Sequence, residues 1–98
     1  MTQAELRQIA QDSLVQFLAS RHHDAVELTD DTDPISGLGL KSEDGVDWAC
    51  DLEALGIEVP TKINPFVVDG QHPRPRRFGE IVQLLYGYVE HGEGARNE

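Results

Sequence analysis

The chain has 98 residues, of which 39% are hydrophobic and 27% charged, as expected for one soluble globular domain. Its 18 acidic and 8 basic side chains give a formal net charge of -10, which argues against binding to nucleic acid or to anionic lipid. The sequence has a single cysteine, no secretory pattern and no apolar run that could span a bilayer, so we expect a cytoplasmic protein.

The first predicted element is an amphipathic helix over residues 2–20. Its apolar positions recur at helical spacing, at Leu6, Ile9, Ala10, Leu14, Phe17 and Leu18. Thr2 and Glu5 fit a capping box, and the helix should end near Arg21-His22-His23. Neighbouring histidines do not share a helix face, so no metal site is predicted there.

Residues 24–41 lack any period and form a long loop, a feature that is usually functional in a small domain. A second helix is predicted over residues 42–55. One broad arc of this helix is apolar and holds Gly45, Val46, Trp48, Ala49, Cys50, Leu52 and Leu55. We therefore expect Trp48 and Cys50 in the core.

The opposite face of this helix is acidic. Glu43, Asp47 and Asp51 are spaced i, i+4, i+8, with Asp44 beside them, and no lysine separates them. Like charges at this spacing destabilise a helix by about 0.2–0.5 kcal/mol per pair. The stripe is either a solvated face or a docking surface for basic partners, and the missing lysines favour docking.

Residues 57–76 contain four prolines, so at most a short helical turn is expected and no strand pair. A last helix is predicted from about Arg77 to Val89. We divide the chain into a helical domain, residues 1–90, and a disordered tail, residues 91–98. No serine, histidine and carboxylate set can be inferred, so we do not expect an enzyme.

Three short motifs, taken in order, resemble the acyl carrier protein family. They are Leu38-Gly39-Leu40-Lys41-Ser42, then Val46-Asp47, then Gly56-Ile57-Glu58-Val59-Pro60. The segment Arg77-Phe78-Gly79-Glu80-Ile81-Val82 is similar to the start of the family's last helix. The resemblance extends from about Leu6 to Val89.

This resemblance implies an all-α bundle of three main helices plus one short helix in residues 61–70, with the long loop between helices one and two. It implies a monomeric carrier in fatty acid, lipid or polyketide biosynthesis. Ser42 would receive a 4′-phosphopantetheine arm from a phosphopantetheinyl transferase and carry acyl thioesters between enzymes with basic surfaces. The residues expected to dock these partners are Lys41, Glu43, Asp44, Asp47, Asp51 and Glu53.

Two positions depart from the family pattern, which has Asp where Lys41 stands and Leu where Glu43 stands. Lys41 could oppose docking of the transferase, or pair with the arm's phosphate or with a neighbouring acid. The alternative function is therefore an unmodified interaction module, in which Ser42 only caps helix two. Arg74, Arg76 and Arg77 could fold onto the acidic stripe, contact a second partner, or stay solvated.

Overall fold

Three helices and one small hairpin form the part of the chain that the computed structural model describes. The described residues are 2–21, 27–60, 62–68 and 72–96, of which 90–96 are described by backbone alone. The elements in chain order are α1 (Gln3–Ser20), α2 (Ser42–Ala54), β1 (Val67–Val68), β2 (Arg74–Pro75) and α3 (Phe78–Arg96). Because α1 packs against both α2 and α3, it lies between them. No helix in these ranges is long and apolar enough to cross a membrane.

Helix α1 begins and ends as the sequence predicts. The Thr2 hydroxyl accepts from Glu5 N, and Thr2 N donates to Glu5 Oε1, so both halves of the capping box are present. Arg21 is the C-cap residue. The buried stripe of the helix consists of Leu6, Ala10, Ser13, Leu14, Phe17 and Leu18.

Helix α2 buries a narrower strip than its sequence predicts. Only Gly45, Trp48 and Leu52 are buried, at spacing i, i+3, i+7. Two predicted arc residues, Val46 and Leu55, are about half exposed, at 52% and 53%. The predicted apolar arc is wider than the buried strip because α2 is covered mainly by α1 and by the segment around Phe66. The rest of the α2 surface is open to solvent.

The predictions that Cys50 and Trp48 lie in the core have opposite outcomes. The prediction that Cys50 lies in the core is wrong, since this thiol is exposed on the uncovered side of α2. The core prediction for Trp48 is confirmed. Its indole stacks on Phe66 with ring centroids 5.5 Å apart, and its Nε1 donates to Ser13 Oγ at 3.1 Å. This bond satisfies the one polar group that a buried tryptophan carries.

The long loop is present, and its described part, residues 27–41, is tied to the rest of the fold. Asp33 Oδ1 accepts from the amides of Ile35 and Ser36 and so starts a turn over residues 34–38. The beginning of α3 donates back to the loop, from Phe78 N to Thr32 O at 2.7 Å and from Gly79 N to Asp30 O at 3.0 Å. The loop therefore reaches α2 from a fixed anchor on α3.

The crossover between α2 and α3 differs from the prediction. Residues 62–68 contain no helix, and the predicted absence of a strand pair is wrong, because β1 and β2 pair antiparallel with Val67 opposite Pro75. β-branched residues favour the extended backbone, and the prolines disfavour a helix. The described chain is thus a three-helix fold with a hairpin, and the expected fourth helix is not observed.

Helix α3 extends to Arg96, beyond the predicted end near Val89. The division into a domain and a disordered tail from residue 91 stays a prediction. The core is one cluster of side chains contributed by all three helices, the loop and the crossover. Its largest fully buried members include Trp48, Phe66, Phe78, Leu6, Leu14, Leu18, Leu52, Ile57, Ile81 and Leu85.

Candidate functional site

Ser42 is the first residue of α2, and its side chain is exposed. The N-cap is Lys41, with an extended backbone at φ -101° and ψ 161°, so Ser42 is not the capping residue. The Lys41 side chain carries no hydrogen-bond acceptor and so does not cap the helix. The Lys41 backbone amide donates to Asp44 Oδ2 at 2.9 Å. Within the described chain the Ser42 hydroxyl has no hydrogen-bond partner, so it is free to react or to bind.

The first turn of α2 also leaves backbone donors open. Asp44 N donates to Lys41 O at 3.0 Å, whereas the amides of Ser42 and Glu43 reach no acceptor among the described residues. Unpaired amides and the helix dipole make such an end favourable for an anion. The Ser42 hydroxyl is therefore placed where a phosphoryl group attached to it would be electrostatically supported.

Asn64 holds the first turn of α2 in place, and no sequence pattern singles this residue out. Its Nδ2 donates to Ser42 O at 2.7 Å, and its Oδ1 accepts from Phe66 N at 2.9 Å. The approach is possible because residue 45 is glycine, since a Cβ there would lie 2.0 Å from Asn64 Oδ1. The Asn-Pro pair at residues 64–65 predicts a turn, but only the structure shows which helix that turn contacts.

Part of the predicted acidic stripe is paired within the chain. The Arg21 guanidinium lies 3.3 Å from Asp44 Oδ1 and 3.1 Å from Asp47 Oδ2. It also stacks over the Phe17 ring at 3.7 Å, which fixes its position. The positive charge that α2 lacks is thus supplied by the end of α1.

The other predicted docking acids remain available. Glu43, Asp51 and Glu53 are exposed and have no ion pair among the residues described. Lys41 is likewise exposed beside Ser42. The predicted docking set therefore divides into two acids held by Arg21 and four open charged side chains.

A cleft of about 490 Å³ separates α1 from α2 on the side of Arg21. Its wall from α2 includes Asp47, Asp51 and Leu55, and its wall from α1 includes Ser13 and Phe17. Two carboxylates and an arginine line the same space as apolar carbon. This side of α2 thus presents both charge and exposed apolar surface.

Two of the three arginines near the start of α3, Arg74 and Arg77, form ion pairs away from the acidic stripe. Arg74 forms a bidentate pair with Glu80, with one contact of 2.6 Å, and Arg77 lies 3.6 Å from Asp31. The Arg74 hydrogen bond, together with the Arg77 amide, lowers the pKa of Glu80 to about 2. Arg76 Nε is buried without a hydrogen-bond partner in the described structure. The idea that this cluster folds onto the α2 stripe is not supported by these contacts.

The described ranges contain no group of three or more histidine, cysteine, aspartate or glutamate side chains placed to hold a metal ion. His22, His23 and Asp24 lie outside the described residues. Comparison with known proteins finds no matching family model, no matching curated protein and no matching solved structure. The residues and geometry around Ser42 are therefore the observations that bear on function.

Proposed function

We propose that the chain is a carrier of the acyl carrier type, with Ser42 bearing a 4′-phosphopantetheine arm. The observation that carries the proposal is the exposed Ser42 hydroxyl, which lies at the start of a 13-residue helix and has no partner in the described chain. A serine that only capped the helix would accept a backbone amide instead. Here Lys41 occupies the cap position, so the hydroxyl has no capping role.

The surroundings of Ser42 fit a phosphodiester. The free amides of Ser42 and Glu43 are suited to its oxygens, and the Lys41 side chain adds an exposed positive charge next to it. On transfer, Ser42 Oγ bonds to the phosphorus next to pantetheine in coenzyme A. The pyrophosphate P–O bond breaks, the nucleotide leaves, and the hydroxyl proton passes to a base of the transferase. The terminal thiol of the arm supplies the acyl thioester.

The exposed surface of α2 supports docking of enzymes with basic surfaces. Glu43, Asp51 and Glu53 provide carboxylates that have no ion pair within the described ranges, and Val46 provides exposed apolar area among them. A mixture of charge for orientation and apolar area for affinity is typical of protein interfaces. We therefore propose that partners approach along α2 and reach the arm at its first residue.

The test is modification in solution. The purified chain is incubated with a broad-specificity phosphopantetheinyl transferase and coenzyme A, and its intact mass is measured. We expect a gain of one arm in the wild type and in Ser36→Ala, an exposed serine in the preceding loop, but none in Ser42→Ala. If several transferases leave the mass unchanged, or if Ser42→Ala is still modified, the carrier proposal is wrong.

The second candidate function is an unmodified acyl-carrier-like interaction module. The observation that favours it is the charge on either side of Ser42, where Lys41 and Glu43 are both exposed and replace the family's Asp and Leu. This alternative predicts no mass gain, together with binding to a basic partner that is weakened by Asp51→Lys. Binding unaffected by that reversal at physiological salt would show that the stripe is only solvated.

A further inference from the structure

The cleft between α1 and α2 is lined by one face of each helix. On α2 its lining residues Asp47, Asp51 and Leu55 are spaced i, i+4, i+8, and on α1 Phe17 and Arg21 are one turn apart. Such spacing places each set along one side of its helix. At about 1.5 Å per residue, the α2 wall is about 12 Å long, a little over two helical turns. Two helix faces that flank an open space of this length form a groove in which a third helix can lay one face.

The cleft lies on a different side of α2 from Ser42. Because successive helix residues are rotated by about 100°, Asp51 and Leu55 fall on one side of the buried strip, and Ser42, Val46 and Glu53 fall on the other. An occupant of the cleft therefore does not cover the side of α2 that presents Ser42. The cleft is thus a surface separate from the Val46 and Glu53 side of α2.

Two carboxylates of the cleft have acceptor positions that the described chain does not fill. Arg21 Nη2 contacts Asp47 Oδ2 at 3.1 Å, whereas Asp47 Oδ1 has no hydrogen bond from any described residue. Asp51 is exposed and has neither an ion pair nor a hydrogen bond within the same ranges. Arg21 divides its charge between Asp47 and Asp44. The α2 wall of the cleft therefore keeps a net negative charge that complements a cation.

The same wall continues into apolar surface. Leu55 follows Asp51 by one turn and is 53% exposed, and the buried Phe17 contributes to the opposite wall. A single exposed leucine is ordinary on a protein surface. Here it extends a row of two carboxylates, so the row as a whole matches two cations followed by an apolar side chain at helical spacing.

We propose that the cleft binds a basic amphipathic helix of a partner protein. The helix presents two lysines or arginines one turn apart to Asp47 and Asp51, and an apolar side chain to Leu55. A second copy of this chain is a poor occupant, because two molecules of formal net charge -10 repel each other. The proposal goes beyond the carrier function and does not depend on modification of Ser42.

The experiment measures binding of a fluorescent, alanine-rich helical peptide of about 18 residues. The peptide carries two arginines and a leucine at i, i+4, i+8, and a second peptide of the same composition carries them on different faces. Fluorescence anisotropy gives the affinity of the full chain and of Asp51→Asn and Leu55→Ala. The matched controls are Glu53→Gln and Val46→Ala, which change the same kinds of exposed side chain on the other side of α2.

At low salt we expect Asp51→Asn and Leu55→Ala each to weaken binding of the first peptide by about three- to fivefold. The two control variants should bind it as the wild type does. High salt should reduce the effect of Asp51→Asn and leave that of Leu55→Ala. Circular dichroism of the four variants checks that each keeps the helix content of the wild type.

Three results would overturn the proposal. They are equal weakening by the control variants, equal affinity for the two peptides, and no binding of the first peptide at about millimolar concentration. Self-association of the chain that depends on Asp51 and Leu55, measured by sedimentation, would instead assign the cleft to a second copy and would also contradict the proposal.

The cleft proposal and the carrier function fail separately, because Ser42→Ala should bind the peptide with the affinity of the wild type. A chain that gains no arm but binds the peptide contradicts only the carrier function. A chain that gains the arm but does not bind the peptide contradicts only the cleft proposal.

Discussion

Asn64 lies so close to Gly45 that a Cβ on Gly45 would fall 2.0 Å from Asn64 Oδ1. The Asn64 side chain is itself held at both ends, by Ser42 O and by Phe66 N. A glycine inside a helix ordinarily lowers stability by about 0.5–1 kcal/mol relative to alanine. In α2 the glycine is instead the residue that lets the crossover reach the helix start.

We predict that Gly45→Ala destabilises the chain by about 1–2 kcal/mol, because displacing Asn64 breaks its hydrogen bonds and outweighs the better helix propensity of alanine. Urea unfolding followed by Trp48 fluorescence measures the change. The matched control is Gly87→Ala in α3, where a Cβ would meet nothing within 4 Å and where we expect a gain of about 0.5–1 kcal/mol. A Gly45→Ala chain as stable as wild type would contradict the packing described.

The bond between Ser13 and Trp48 leads to a second prediction. Ser13→Ala leaves the buried Trp48 Nε1 without an acceptor, so we expect a loss of about 1–3 kcal/mol in unfolding free energy. The exposed Ser36 offers a control, since Ser36→Ala should stay within about 0.5 kcal/mol of wild type. Equal stability of the two variants, measured in the same urea titration, would show that the indole does not depend on Ser13.

Arg21 joins two carboxylates to one aromatic ring, and its removal should therefore be costly for a partly exposed residue. We expect Arg21→Gln to lose about 1–2 kcal/mol at low salt, from two ion pairs and a cation–π contact. Arg77→Gln, which loses only the 3.6 Å contact with Asp31, should lose less than about 0.5 kcal/mol.

The salt concentration separates the ion-pair contribution of Arg21 to stability from its packing contribution. The ion-pair part should fall in high salt, whereas the packing of Arg21 on Phe17 should persist. An Arg21→Gln loss no larger than that of Arg77→Gln at every salt concentration would contradict the role assigned to Arg21.

The lowered pKa of Glu80 leads to a prediction about how the stability of the chain depends on pH. The Arg74 hydrogen bond lowers the Glu80 pKa from 4.5 to about 2, so the folded state holds this carboxylate ionised where the unfolded chain begins to protonate it. The stabilisation is present above pH 4.5 and is lost as the pH falls through about 2. We expect the free energy of unfolding to change less with pH in this window in Glu80→Gln than in the wild type. Urea unfolding at several pH values measures it.

The magnitude should be modest, because the Glu80 side chain is 37% exposed and solvent weakens the pair. The control is Glu53→Gln on α2, which has no ion pair in the described structure. Profiles of Glu80→Gln and Glu53→Gln with the same slope would show that Arg74 does not stabilise the ionised form.

The helices could be predicted from the sequence because their causes are local. Thr2 and Glu5 mark the start of α1, and helical periodicity marks its buried face. The predicted start of α2 at Ser42 is confirmed. The extent of burial could not be predicted, since it depends on what packs against a helix. For this reason helical spacing alone predicts a buried Cys50, whereas the thiol is exposed.

The parts that the sequence did not predict are contacts between distant segments. Nothing local connects Asn64 with Ser42 or Arg21 with Asp47, which are 22 and 26 residues apart. The hairpin was missed because each of its strands has only two residues, too few for a detectable alternation. These contacts decide how the candidate site is held and which of its acids are open.

The attachment of the long loop to α3 has a consequence for synthesis of the chain. The ribosome makes α1 and α2 before it makes Asn64, Phe78 and Gly79, which fix the loop and the helix start around Ser42. A nascent chain ending after α2 contains Ser42 but none of these contacts. Under the proposed function, a transferase that recognises the folded surroundings of Ser42 acts only after the beginning of α3 has left the ribosome.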